Sequence, residues 1–116
     1  MRKAKIAVFV SGGGTNLQAL IDAQNSGIIN SGEISLVVSS NKTAYALERA
    51  KNAGIKSVTV EKKELGSQKA FEDAIIKNLN ENDVDIIVLA GFMTILSAEF
   101  TAKYDKKIIN VHPSLI

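Results

Sequence analysis

From one end of the chain to the other, short apolar runs alternate with stretches whose apolar residues fall at helical spacing. That alternation constrains the fold most, because strands separated by helices return in the same direction and pair in parallel. Residues 6–10 form a run of branched and aromatic side chains that stops at Gly12-Gly13-Gly14, and they read as a buried strand. Thr15 or Asn16 is placed to cap a helix whose Leu17, Leu20, Ile21 and Ile28 fall near one face, with Gly27 near its end. Residues 34–38 are a second strand, and Thr43 then opens a helix carrying Ala46, Leu47 and Ala50 that Gly54 closes. Residues 58–60 have polar flanks and read as a strand at or near a sheet edge. Ser67 starts a helix with the stripe Ala70, Phe71, Ala74, Ile75 and Leu79. Residues 85–90 are the most hydrophobic strand and are expected to be central. Ser97 caps a short helix with Phe100 and Tyr104 inward, and Ile108, Ile109 and Val111 form a last strand. The expected fold is α/β: an open, doubly wound, Rossmann-like, mostly parallel sheet with helices on both faces. Ligands of such folds sit outside the carboxyl ends of the strands, where the strand order reverses.

A length of 116 residues allows one domain with one main core, and 46% hydrophobic with 22% charged residues places it among globular rather than disordered chains. The 14 basic and 12 acidic residues nearly balance. The lysines are scattered apart from pairs such as Lys62-Lys63 and Lys106-Lys107, with no basic stripe interleaved with aromatics, so a nucleic-acid partner is not expected. The absence of cysteine removes disulfides, thiolate metal sites and a cysteine nucleophile, and fits a cytoplasmic protein. Met1-Arg2-Lys3 and the run after it imitate a signal peptide, but glycines cut that run short of the about 7–15 apolar residues required. No segment approaches the roughly 20 apolar residues that span a bilayer. A soluble protein with no membrane partner is expected.

Three strand exits carry the candidate chemistry. After the first strand, Ser11-Gly12-Gly13-Gly14-Thr15-Asn16 leads into a helix, where backbone amides and the helix dipole make an anion site. A ligand-free tight turn is the alternative, although three consecutive glycines exceed what a turn requires. A dinucleotide fingerprint would need glycine where Leu17 stands and an acid where Ser40-Asn41 stand; a P-loop would need Gly-Lys-Ser/Thr. A phosphorylated small metabolite suits the loop better than NAD or ATP. After the fourth strand, Gly91 precedes Phe92, Met93, Ile95 and Leu96, which serve either as an apolar wall for a flat ligand or as core. After the fifth, Asn110 and His112 are two apart and project to the same side of a strand. His112 is the only histidine, and it serves either structure or catalysis. A lone histidine with no cysteine or nearby acid does not make a metal site, and the elbow of a serine hydrolase is missing.

Ser-Gly-Gly-Gly-Thr-Asn-Leu-Gln (11–18) is similar to the phosphate-loop motif of glycinamide ribonucleotide formyltransferases. Leu-Ala-Gly-Phe-Met-Thr-Ile-Leu-Ser (89–97) resembles that family's folate-site segment, and Asn-Val-His-Pro-Ser-Leu (110–115) its catalytic motif. Ser-Asn-Lys (40–42), Ala-x-x-Leu-Glu-Arg-Ala (44–50) and Ala-Gly-Ile (53–55) match as well, so the resemblance covers the whole chain. It implies formyl transfer from 10-formyltetrahydrofolate to the amine of glycinamide ribonucleotide, both small-molecule partners, with no metal. Ser11, Gly12, Gly13, Gly14, Thr15 and Asn16 would hold the substrate phosphate. Gln68, Met93, Thr94, Ile95, Leu96 and Asn110 would contact the folate, and Asn110 and His112 would carry the chemistry. Gln68 and Thr94 stand where some members have arginines, so part of the folate would be held differently. Relatives that formylate methionyl-tRNA or hydrolyse formyl-folate share Asn-x-His-x-Ser but generally differ at the Pro113 position and lack the loop. They are one alternative, and a non-catalytic phosphate-binding module is another. The family continues into further strands, a carboxyl-terminal helix and an aspartate that pairs with the histidine. The resemblance therefore implies that residues 1–116 are a single-domain amino-terminal fragment, inactive by itself. Oligomeric state is not implied.

Overall fold

The computed structural model describes residues 4–27, 32–92, 94 and 96–111. Strands β1 (Ala4–Val10), β2 (Gly32–Ser39), β3 (Lys56–Thr59), β4 (Ile86–Ala90) and β5 (Ile108–Val111) form one sheet in the order β3-β2-β1-β4-β5. Every neighbouring pair is parallel. Helices α1 (Thr15–Asn25), α2 (Tyr45–Asn52), α3 (Lys62–Leu65), α4 (Gln68–Glu81) and α5 (Ala98–Lys103) fill the connections. The chain winds outward from β1 to β3, then returns to place β4 on the other side of β1. The order therefore reverses between β1 and β4, where such folds open a crevice. No helix among the described residues is long and apolar enough to cross a membrane.

Alternation along the strands divides the core in two. Ala7, Phe9, Leu36, Val38 and Ile87 face α4 and α5, where Phe71, Ile75, Leu79 and Phe100 cover them. Val8, Val10, Val37, Val88 and Ala90 face α1 and α2, through Leu17, Ile21, Ala46 and Ala50. Ile34 and Leu36 are two apart yet lie in opposite halves, because the β1–β2 register shifts by one residue there: Ile6 pairs with Ile34, but Ala7 with Leu36. A bulge of this kind turns the following side chains to the other face.

The expected strands, edge position of β3 and amphipathic stripe of α4 are present. Ser67 and Ser97 cap α4 and α5, accepting from the amides of Ala70 and Phe100 at 3.1 Å each. Other expectations need correction. β1 stands in the middle of the sheet, and β4 lies between β1 and β5. Neither Thr15 nor Asn16 caps α1: Gly14 occupies the cap position and no side chain bonds there. Thr43 does not open α2, which starts at Tyr45. Its amide and hydroxyl donate to the Asn41 side chain at 3.0 and 2.8 Å, closing a turn before the helix. Helix α3 was unforeseen, being four residues long without a buried side chain. Ile28 lies outside the described residues.

Candidate functional site

The β1 exit is built by what its three glycines must do. Gly14 has φ +77°, and a Cβ on it would stand 2.6 Å from the Cβ and 2.9 Å from the Cα of Ala46. Both the left-handed backbone and the contact with α2 require glycine there. Gly12 and Gly13 differ: a Cβ on either meets nothing within 4 Å. That side of the loop is open space. Successive loop carbonyls point away from that side. Gly12 O accepts from the Ala46 amide at 3.1 Å, Gly13 O from Arg49 Nε at 2.7 Å, and Gly14 O from the Gln18 amide at 2.8 Å. None of the described hydrogen bonds is donated by the amides of residues 12–17. Ser11 Oγ meets Ser40 Oγ across the β1–β2 exits at 2.6 Å.

The β4 exit is held in another way. Phe92 turns into the core, edge-on to Phe9 at 5.2 Å and stacked on Phe71 at 6.5 Å. It anchors the segment from below. Leu96 also packs partly against the core, and Thr94 is half-buried. At Ser97 the backbone is gripped by Glu72 of α4, a buried carboxylate that sequence reasoning missed. Glu72 accepts from the Ser97 amide and hydroxyl at 2.6 Å each, and from Gln68 Nε2 at 2.7 Å. Burial alone would raise its pKa, but the Ser97 hydroxyl, the Ser97 amide and Gln68 together hold it below the usual 4.5. One signal was present: Glu72 is spaced three and seven from Ile75 and Leu79, on the stripe that α4 buries.

Ser11 and Thr94 line one cleft of about 510 Å³ at the carboxyl edge, together with Ser40, Asn41, Glu61, Lys62 and Lys63. The Lys62-Lys63 pair thus stands on a cleft wall. Glu61 is buried beside it, accepting from the Lys42 amide at 2.8 Å, and that bond leads the influences that lower its pKa. Gln68 does not share this cleft; it lines a recess of about 440 Å³ between α4 and α5 with Glu72, Ser97 and Phe100. Asn110 is exposed near the end of β5, in one lateral row with Leu89 of β4 and Phe9 of β1. Two strand spacings put it about 10 Å from β1. Met93, Ile95 and His112 lie outside the described residues. Among the described residues no group of three His, Cys, Asp or Glu is placed to hold a metal ion.

A doubly wound parallel sheet, a glycine loop at the middle strand's exit and an exposed amide two strands away define an open α/β domain, of the class whose ligands sit at the carboxyl edge. The model of the formyl transferase family matches residues 4–116, and the chain belongs to that family. It is 46% identical over 112 residues to the phosphoribosylglycinamide formyltransferase of Haemophilus influenzae, covering 97% of this chain and 52% of that protein. It is 44% identical over 114 residues to the trifunctional purine biosynthetic protein adenosine-3 of Gallus gallus, covering 98% of this chain and 11% of that one. Among solved structures, the phosphoribosylglycinamide formyltransferase of Coxiella burnetii superposes with a TM-score of 0.91 at 40% identity, over 99% of this chain and 54% of the other. The chain thus spans about half the length of the formyltransferases it matches.

Proposed function

We propose that the full-length protein transfers the formyl group of 10-formyltetrahydrofolate to the amine of glycinamide ribonucleotide in de novo purine synthesis. The β1 exit supports this most: three carbonyls are turned away and bonded, and the amides beyond them are unspent at a helix amino terminus. That arrangement suits a phosphate. Ser11, Gly12, Gly13, Gly14, Thr15 and Asn16 take the phosphate. Asn110 lies two strands from β1, in the row of Phe9, and the glycine loop follows that strand, so the phosphate and the amine of one ligand can be met along the same sheet edge. The segment containing Met93, Thr94, Ile95 and Leu96, together with Asn110, takes the folate. Gln68 acts on that side through its bond to Glu72, which braces Ser97.

The substrate amine attacks the formyl carbon, and the carbonyl oxygen gathers negative charge in a tetrahedral intermediate. The Asn110 side-chain amide and a protonated His112 donate hydrogen bonds to that oxygen. The attacking nitrogen loses a proton, the bond to the folate nitrogen breaks, and that nitrogen gains a proton by way of His112 or water. No covalent enzyme intermediate is required.

Steady-state turnover of the full-length protein with glycinamide ribonucleotide, set against other amine acceptors, tests the assignment. His112→Ala is expected to lower kcat by about 10²–10⁴-fold with little change in ribonucleotide binding. Asn16→Ala is expected to weaken binding more than it lowers turnover at saturation. An unchanged kcat in His112→Ala removes the catalytic assignment. Preference for another amine acceptor moves the protein to a different folate-dependent reaction.

A further inference from the structure

Arg49 lies on α2, 36 residues from the glycine loop, yet its side chain closes that loop from behind. Its Nε donates to Gly13 O at 2.7 Å, its Nη1 to Gln18 Oε1 at 3.3 Å, and its guanidinium lies 5.0 Å from the centre of the Tyr45 ring. The guanidinium is thus fixed in position by three neighbours: the loop, α1 and its own helix.

What this does to the loop follows from the peptide bond. In a trans peptide the carbonyl of one residue and the amide N–H of the next point in opposite directions. There are no cis peptides among the described residues. Holding the carbonyls of Gly12, Gly13 and Gly14 toward α1 and α2 therefore turns the amides of Gly13, Gly14 and Thr15 toward the open side. Two of those carbonyls are held by backbone amides, of Ala46 and Gln18, which side-chain substitution does not remove. The middle one is held by Arg49 alone among the described bonds. Gly13, with open space where a side chain would stand, has no steric barrier of its own against rotation of that peptide.

We infer that Arg49 is a positioning residue for the phosphorylated substrate: through the Gly13 carbonyl it fixes the direction in which the Gly14 amide points, so that the loop presents its N–H groups together. The inference rests on the proposed phosphate role of the loop. Arg49 acts behind the loop, and the anion is met by the amides in front.

The test uses the full-length enzyme and measures KM for each substrate along with kcat. In Arg49→Ala the KM for glycinamide ribonucleotide should rise about tenfold or more, as expected for losing a hydrogen bond from a charged group. The KM for 10-formyltetrahydrofolate and kcat at saturation should change less than about twofold by the same reasoning. Arg49→Lys keeps the charge and a donor and should fall between wild type and alanine. A fall in thermal midpoint with an unchanged ribonucleotide KM means a merely structural role and overturns the inference. If Arg49→Ala does not fold, Arg49→Lys and Arg49→Gln are judged by the same split between the two KM values. Inorganic phosphate as a competitor of glycinamide ribonucleotide in wild type separates the two levels. No competition in wild type sinks the phosphate reading itself. Competition in wild type that persists undiminished in folded Arg49 variants leaves that reading standing and removes Arg49 from it.

Discussion

The loop leaving β1 and the segment leaving β4 flank the same reversal of strand order, and they are fastened by opposite chemistry. On the β1 side, donors from α1 and α2 capture carbonyls: the amides of Ala46 and Gln18 and the guanidinium of Arg49. On the β4 side an acceptor from α4 captures donors, since Glu72 takes both the amide and the hydroxyl of Ser97. The first fastening leaves amides free and suits an anion. The second consumes donors, while Phe92 and Leu96 tie the segment to the core. The helices that brace the two exits thus leave different backbone groups bonded on each side.

The largest expected effect strikes the β1 side. Gly14→Ala must adopt φ +77° and place a methyl 2.6 Å from the Ala46 Cβ. A loss on the order of 2–5 kcal/mol is expected from strain and overpacking, read as the shift of a denaturant midpoint. Gly13→Ala, with open space around its Cβ, should cost less than about 1 kcal/mol while still weakening ribonucleotide binding. Equal destabilisation by the two would break the division between a glycine the fold requires and one it does not.

A smaller effect is expected on the β4 side. Glu72→Gln keeps the size of the side chain but only one acceptor oxygen; with that oxygen on the Ser97 and Gln68 N–H groups, its NH2 meets the Ser97 hydroxyl, so about 1–3 kcal/mol should be lost. The effect must depend on pH. The Glu72 pKa is lowered on folding, so its contribution is complete above the ordinary value of 4.5 and is lost as pH falls through the folded value. Thermal midpoints of wild type and Glu72→Gln should therefore differ at neutral pH and converge in acid, below 4.5. A gap that does not narrow in acid would show that the carboxylate charge is not what holds Ser97.

The smallest effect belongs to an exposed ion pair on α4. Lys69 and Asp73 meet at 2.9 Å on the exposed face of α4, with side chains 85% and 60% exposed. Lys69→Ala should leave the thermal midpoint within measurement error, since water and salt already screen such a pair. A clear drop would mean that the outer face of α4 helps to brace the β4 exit.

Much of this was legible in the chain because it is local. Periodicity separated strands from helices, and Ser67 and Ser97 announced two caps through bonds spanning three residues. The glycine loop was placed at the exit of β1 by composition and by the strand before it. Asn110 could be set at the end of β5 from strand alternation, and the structure leaves it exposed there. The cap of α1 was misread because Gly14 fills that place through its backbone rather than a side chain. Thr43 was misread because Asn41 claims its donors for a turn.

By itself, then, the sequence determined the α/β class, the position of each strand exit and the residue types gathered there. Each depends on contacts among near neighbours, with periods of 2 and about 3.6 residues. Tertiary structure alone decided that β1 stands in the middle, that Ile34 and Leu36 face opposite halves of the core, and that Phe92 belongs to the core. It alone brought Arg49 to Gly13 across 36 residues and Glu72 to Ser97 across 25. Those bonds have no local signature, because a guanidinium or a carboxylate on a helix looks the same in sequence whether it faces water or another element. Only packing two helices against two strand exits selects the partner, and the selection fixes which backbone groups remain free for a ligand.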